Sequence, residues 1–169
     1  MKPAGLEKGR EDLRDMPLVT IDPHDARDHD DACYAYADDD PKNKGGHIIW
    51  VAIADVAHHV APATELDREA RKRGNSTYFP DRVVPMLPDR LSGDLCSLHE
   101  GVERACIAVR MQIDSVGTKL GQTFHRGLMR SPASLHYEEV QQAIDGNPNE
   151  RCAALLKPVL EPLYAAYGA

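Results

Sequence analysis

Between residues 22 and 31 the chain reads Asp-Pro-His-Asp-Ala-Arg-Asp-His-Asp-Asp, five carboxylates within ten positions. Like charges packed this closely repel one another and destabilise any compact state unless something positive neutralises them. A hard divalent cation held by oxygen ligands meets that need, and Mg²⁺ or Mn²⁺ is the natural candidate. The strict pattern is Asp22-x5-Asp28-x-Asp30-Asp31, with one acid at the end of an apolar run and three after a turn. A loop folded back on itself brings all four around one or two ions. Mg²⁺ keeps several waters and takes one or two protein carboxylates, so four suit a pair of ions better than one. Two ions ~4 Å apart activate a water and stabilise the leaving oxygen of a phosphodiester. The competing readings are a solvated acidic loop and a calcium loop of EF-hand type. The calcium loop needs Gly at its sixth position and Glu at its twelfth. From Asp28 those places hold Cys33 and Asp39, and from Asp30 they hold Ala35 and Pro41, so that reading fails.

Elements on both sides must present these acids. Residues 18–21 read as a strand that delivers Asp22, and Pro23 helps to stop it. Residues 32–37 read as a second strand, followed by Asp/Pro/Asn/Gly turn chemistry over 38–46. The nearly continuous apolar run 48–54 predicts a strand buried on both faces, ending at Asp55. Thr64 and Asp67 form a capping box for a helix that closes at Gly74 and is polar on most faces, hence superficial. Pro80, Pro85 and Pro88 punctuate an irregular stretch, and 105–113 and 120–129 read as strands joined by a turn. Tyr137, Val140 and Ile144 form a helical stripe ending at Gly146. A last helix is expected with Asn147 as cap, Pro148 in its first turn and Glu150 three residues beyond the cap. Its apolar period runs from Cys152 to Tyr167, broken by Pro158 and Pro162. The expected fold class is α+β: a mixed, mostly antiparallel central sheet, flanking surface helices and a helical C-terminal stretch. Residues 1–11 are expected to form a linker or disordered start, with 12–169 as the body. The stripe from Leu155 to Tyr167 is expected to be orphaned and to drive self-association.

Composition narrows the classes. With 42% hydrophobic and 28% charged residues, 169 residues make one globular domain rather than a disordered chain. Residues 21–40 hold eight Asp and one Arg, a net of −7, which equals the charge of the whole chain. The acidity is therefore one local well, and the balanced remainder does not exclude a polyanionic substrate. No run approaches the ~20 apolar residues of a membrane span, and no secretory start is present, so a cytoplasmic chain without a membrane partner is expected. Cys33, Cys96, Cys106 and Cys152 form no Cys-x-x-Cys pair, which argues against a disulfide framework or a zinc knuckle.

Several ordered segments carry a resemblance. Residues 9–15 (Gly-Arg-Glu-Asp-Leu-Arg-Asp), 19–22 (Val-Thr-Ile-Asp) and 25–32 (Asp-Ala-Arg-Asp-His-Asp-Asp-Ala) are followed by 51–56 (Val-Ala-Ile-Ala-Asp-Val) and 66–70 (Leu-Asp-Arg-Glu-Ala). Then come 76–80 (Ser-Thr-Tyr-Phe-Pro), 85–88 (Pro-Met-Leu-Pro), Leu91-Ser92 and 95–98 (Leu-Cys-Ser-Leu). Together they resemble the catalytic domain of the ribonuclease II and ribonuclease R family, closest to the ribonuclease R branch through 9–15 and 54–58. The likeness is strong over 9–145 and weak over the terminal helical stretch.

That resemblance implies a Mg²⁺-dependent 3′-to-5′ exoribonuclease that hydrolyses single-stranded RNA to nucleoside 5′-monophosphates. It places Asp22, Asp28, Asp30 and Asp31 on the family's metal-site aspartates, with Asp30 and Asp31 catalytic. Loss of the acid matching Asp30 is expected to abolish cleavage and spare RNA binding. Tyr78 matches the aromatic that stacks on the terminal base, as sequence-tolerant recognition requires. The chain corresponds to the N-terminal half of such a domain. The rest, with an arginine and a glutamate of the active centre, and RNA-binding domains of cold-shock and S1 type belong to a full-length parent. The isolated piece is therefore expected to bind metal weakly and to cleave RNA poorly or not at all. The rival class is a non-catalytic RNA- or metal-binding module on the same scaffold; a third reading is a phosphodiesterase of small substrates. Asp25 lies off the ligand pattern and is expected to pair with Arg27. Asp55 is read as either a structural hydrogen-bonding group or a support for the metal ligands. His58 and His59 are candidates for phosphate contact. The basic run Arg68, Arg71, Lys72 and Arg73 reads either as an RNA contact or as a solvated helix face.

Overall fold

A computed structural model describes residues 5, 6, 9–26 and 28–169. In chain order the strands are β1 (Glu11–Asp12), β2 (Thr20–Asp22), β3 (Asp31–Ala37), β4 (His47–Ala54), β5 (Thr77–Tyr78), β6 (Val83–Val84), β7 (Glu103–Ile113), β8 (Lys119–Arg130) and β9 (Ser134–His136). The helices are α1 (Glu65–Arg73), α2 (Tyr137–Ile144), α3 (Glu150–Leu155) and α4 (Glu161–Gly168). One sheet of order β1-β8-β7-β4-β3 dominates, antiparallel except where β1 runs parallel to β8. The α+β expectation holds, with a mostly antiparallel central sheet and short helices around it.

The turns that close this sheet follow from side-chain chemistry. Between β3 and β4 the Asp38 carboxylate accepts from the Asn43 side chain at 2.7 Å, and Gly45 takes a φ of 82°. Between β7 and β8 the Asp114 carboxylate accepts from the Val116 and Thr118 amides at 3.0 and 2.8 Å. The Asp114 contacts, and that of Asp38 with the Asp40 amide at 3.1 Å, satisfy turn amides that would otherwise lack partners.

On the inner face Ile48, Trp50, Ala52 and Ala54 of β4 join Ala32, Cys106 and Ala108 in a core completed by Leu18, Leu91, Leu95 and Leu98. The opposite face corrects one expectation, because β4 is not buried on both sides. Ile53 is 54% exposed, as is its partner Ile107 at 40%, and Phe124 on β8 is 70% exposed. The helix α4 packs over β3 and the neighbouring part of β4, near Ile49, so the rest of that face is left open. Antiparallel sheets tolerate one open face, which an apolar run alone does not reveal.

The smaller pair β2–β9 is parallel and sits against the edge of β3 through an exchange of backbone hydrogen bonds between Val19 and Cys33. Beneath it lies a second core of Val19, Leu135, Val140, Cys152, Val159 and Leu160. The C-terminal stripe is therefore not orphaned: Val159 and Leu160 are fully buried, although Tyr167 is 87% exposed. Its packing against β3 and into the second core removes the basis for the expected self-association. As expected, the prolines divide the stretch, with a wide π-helical turn over Leu156–Leu160 between α3 and α4. The cap lies two residues later than the sequence suggests. The Asn149 side chain accepts from the Cys152 amide at 2.7 Å, whereas the Asn147 amide closes the end of α2 on the Gln142 carbonyl. The helix α1 has the predicted Thr64 cap and Gly74 end, and none of its residues is buried.

The start of the body is fixed earlier than residue 12. Arg10 is buried and Glu11 already pairs with Gly127 on β8. Here the backbone approach is close: a Cβ on Gly127 would stand 2.5 Å from the buried Leu13 Cδ1 and 3.3 Å from the Cys106 Sγ. We expect Gly127→Ala to cost about 1–3 kcal/mol, the range for overpacking a core, read as a lower urea midpoint at unchanged slope. Among the described residues, no helix is long and apolar enough to cross a membrane.

Candidate metal centre

The acidic residues lie on the connection from β2 to β3. Asp22 ends β2, Asp31 opens β3, and Asp28 and Asp30 stand between them. Three backbone contacts pin this connection. The His29 amide donates to the Ser97 hydroxyl at 2.9 Å, the Leu98 amide donates to the His29 carbonyl at 2.8 Å, and the Ala54 amide donates to the Asp30 carbonyl at 3.0 Å. The segment Leu95-Cys96-Ser97-Leu98 thus acts as a brace under the acids.

The carboxylates sense one another. Asp30, though exposed, is pushed above the usual carboxylate range by partial loss of hydration and then by Asp28, Asp31 and Asp22. Asp31 is raised for the same first reason and by Asp22. The three other predicted ligands thus all bear on Asp30, and Asp22 bears on Asp31. Their side chains are already committed in part. Asp22 Oδ2 lies 2.6 Å from His29 Nδ1, and Asp28 Oδ2 is 3.5 Å from the Tyr78 hydroxyl. Among the described residues, no three His, Cys, Asp or Glu side chains are gathered as a ready-made metal cluster. The donor chemistry nonetheless fits a hard cation, which would relieve the repulsion that raises Asp30 and Asp31.

Tyr78 reaches the site from the hairpin β5–β6, an element the proline-rich stretch did not announce. It is 67% exposed, and its hydroxyl is raised above its ordinary value mainly by the Asp28 charge, then by burial and by Asp30. An aromatic face thus stands beside the acids with most of its area open to a ligand.

Other candidates fall outside the site. Asp55 accepts from Arg10 at 2.8 Å and Arg126 at 3.1 Å and also receives the His58 amide, so it is a structural anchor. The bases of α1 pair along their own helix: Arg68 with Glu65, Arg71 with Asp67, and Lys72 and Arg73 with Glu69. That run is a solvated face. His59 stacks edge-on against His58, and burial first, then His58, holds it below the usual histidine value. Asp25 is exposed; its suggested partner Arg27 lies outside the described residues. Two contributors escaped the sequence reading, His29 and Ser97. His29 sits inside the acidic run and Ser97 inside the segment Leu-Cys-Ser-Leu at 95–98, and only their contacts reveal their use.

The family model of the RNB domain matches residues 10–167. The chain belongs to the RNB domain family. It is 48% identical over 167 residues to ribonuclease R of Escherichia coli, covering 98% of this chain and 20% of that protein. Ribonuclease R of Acidithiobacillus ferrooxidans is 46% identical over 166 residues, covering 98% of this chain and 37% of that protein. Among solved structures, Mycoplasma genitalium RNase R in complex with double-stranded RNA superimposes with a TM-score of 0.87 at 30% identity, over 96% of this chain and 28% of that one. The chain thus spans about one fifth to two fifths of the length of these curated relatives. Its RNB sheet is the one described above, and its acidic connection is the segment in which the family resemblance placed the metal-site aspartates.

Proposed function

We propose that this chain is the metal-binding portion of a 3′-to-5′ exoribonuclease that hydrolyses single-stranded RNA to nucleoside 5′-monophosphates. The observation that supports the reading is the match of the RNB domain over residues 10–167, with four carboxylates on the one connection from β2 to β3 and the exposed Tyr78 reaching Asp28. Asp22, Asp28, Asp30 and Asp31 would hold Mg²⁺, with Mn²⁺ as an alternative. When bound, the ion supplies an activated water and charge stabilisation at phosphorus.

This chain's own residues do the positioning. Asp30 is the acid on which the charges of all three other carboxylates bear. Tyr78 offers its exposed ring to the terminal base, and its hydroxyl lies 3.5 Å from Asp28. Stacking of this kind is sequence-tolerant, because every base has a π face. Such an enzyme works in the cytoplasm and meets its RNA with the help of the remainder of a full-length parent. The isolated chain is expected to bind metal weakly and to turn over RNA slowly or not at all.

The test is a titration of the purified chain with Mn²⁺ and with a labelled single-stranded oligoribonucleotide. Binding of both, with little or no release of 5′-monophosphates, is the expected result. Absence of both bindings would overturn the reading, and processive degradation by the chain alone would refute its incompleteness. In the same assay Tyr78→Ala should weaken RNA binding by about 1–3 kcal/mol, seen by fluorescence anisotropy, with Mn²⁺ affinity unchanged.

A further inference from the structure

We propose that His29 is a positioning residue for the metal centre, holding Asp22 through its Nδ1–H so that one carboxylate oxygen is kept for the cation. The inference rests on the metal-site reading above and concerns a residue to which that reading gives no task.

Four observations carry it. The His29 Nδ1 to Asp22 Oδ2 distance of 2.6 Å is that of a charge-assisted hydrogen bond, and a carboxylate can only accept, so Nδ1 carries the proton. The bond occupies Oδ2 and leaves Oδ1 as the oxygen for a ligand. His29 is buried, at 8% exposure, in a segment whose neighbours Asp28 and Asp30 are more accessible. Its backbone is clamped on both sides, with the amide on Ser97 and the carbonyl on Leu98. Its ring meets the His99 ring edge-on at 5.7 Å, with an interplanar angle of 84°, which restrains its rotation.

A surface ion pair would show none of this restraint. Position is instead passed from the 95–98 brace through the imidazole to Asp22. Groups that orient metal-binding carboxylates in this way commonly change metal affinity 10- to 100-fold when removed. The residue type matters as well as the contact. Imidazole supplies a donor on a rigid, nearly planar arm, so the oxygen it holds is defined in direction as well as distance.

The experiment measures Mn²⁺ affinity of the 169-residue chain by electron paramagnetic resonance of the unbound ion, together with metal-free melting. His29→Leu fills the space and removes the donor; His29→Asn keeps an N–H close to the position of Nδ1. The expected result is an affinity about tenfold weaker in His29→Leu, largely recovered in His29→Asn, at equal metal-free melting temperatures. Asp30→Asn is the control for the site itself. If the native chain binds Mn²⁺, Asp30→Asn weakens it and His29→Leu does not, the positioning role is refuted while the metal site stands. If the native chain does not bind Mn²⁺, both are refuted. Should His29→Leu fail to fold, a Mg²⁺ titration of the native chain followed by histidine ¹⁵N NMR decides. A shift of the His29 Nδ1 resonance supports the role, and its constancy overturns it.

Discussion

Asp55→Ala is expected to destabilise the chain by about 3–5 kcal/mol, the cost of breaking a buried pair and leaving one charge uncompensated. The Arg10 and Asp55 side chains are only 1% and 3% exposed, and their N···O distance is 2.8 Å. Arg10 also donates to the Gly127 carbonyl at 3.2 Å, and Arg126 reaches the same Asp55 oxygen as Arg10. Removing the carboxylate leaves the Arg10 guanidinium in a dry site with one backbone carbonyl for company. The pair also has a pH signature. Burial by itself would raise the Asp55 carboxyl, but the hydrogen bonds from Arg10 and Arg126 outweigh it and hold it below the usual range. A group lowered on folding contributes fully above its unfolded value of about 3.9 and loses that contribution as pH falls through the folded value. Urea midpoints taken from pH 7 to pH 3 should therefore fall more steeply at the acid end for the native chain than for Asp55→Ala. Equal stability of the two proteins at pH 7 would remove Asp55 from its structural role.

Asp30→Asn should change sign with the metal. Without a cation the native carboxylate is held above its ordinary value by lost hydration and by Asp28, Asp31 and Asp22, so its ionised form opposes folding. Stability from such a group is gained as pH falls through its raised value, the reverse of Asp55. The neutral amide removes this repulsion, and the metal-free variant should melt no lower than the native chain at pH 7. With Mn²⁺ the order reverses. At 100 times its dissociation constant the ion stabilises the native chain by about 2.7 kcal/mol, most of which the variant should forgo. Binding of single-stranded RNA should survive in the variant, whereas any turnover shown by the native chain should vanish. A melting curve that responds to Mn²⁺ equally in both proteins would exclude Asp30 as a ligand.

Much of the architecture is legible in the sequence because local rules were enough. The Thr64 cap and Gly74 end of α1, the turns after β3 and β7, and the division of the last helix at Pro158 and Pro162 all follow from chemistry within a few residues. The failures have a different origin. An apolar run such as 48–54 has the same composition whether one face is covered or two, and the open side of Ile53 depends on where α4 comes to rest. The hairpin carrying Tyr78 pairs only two residues on each side, too few to leave a period in the sequence. The acids of the candidate site are visible as a charge cluster. His29 and Ser97 are not, because the contact that pins one to the other joins residues 68 apart.

The pairing of β1 with β8 and of β2 with β9 sets a timetable for biosynthesis. Arg10 finds the Gly127 carbonyl 117 residues further along, and Asp22 lies beside His136. At roughly 5–20 residues per second, a ribosome needs on the order of ten seconds to supply the second partner after the first. Throughout that interval the nascent N-terminal segment has neither its neighbouring strands nor its buried arginine contact. The acidic connection follows β2 directly, so it leaves the ribosome long before β9, the strand with which β2 is paired.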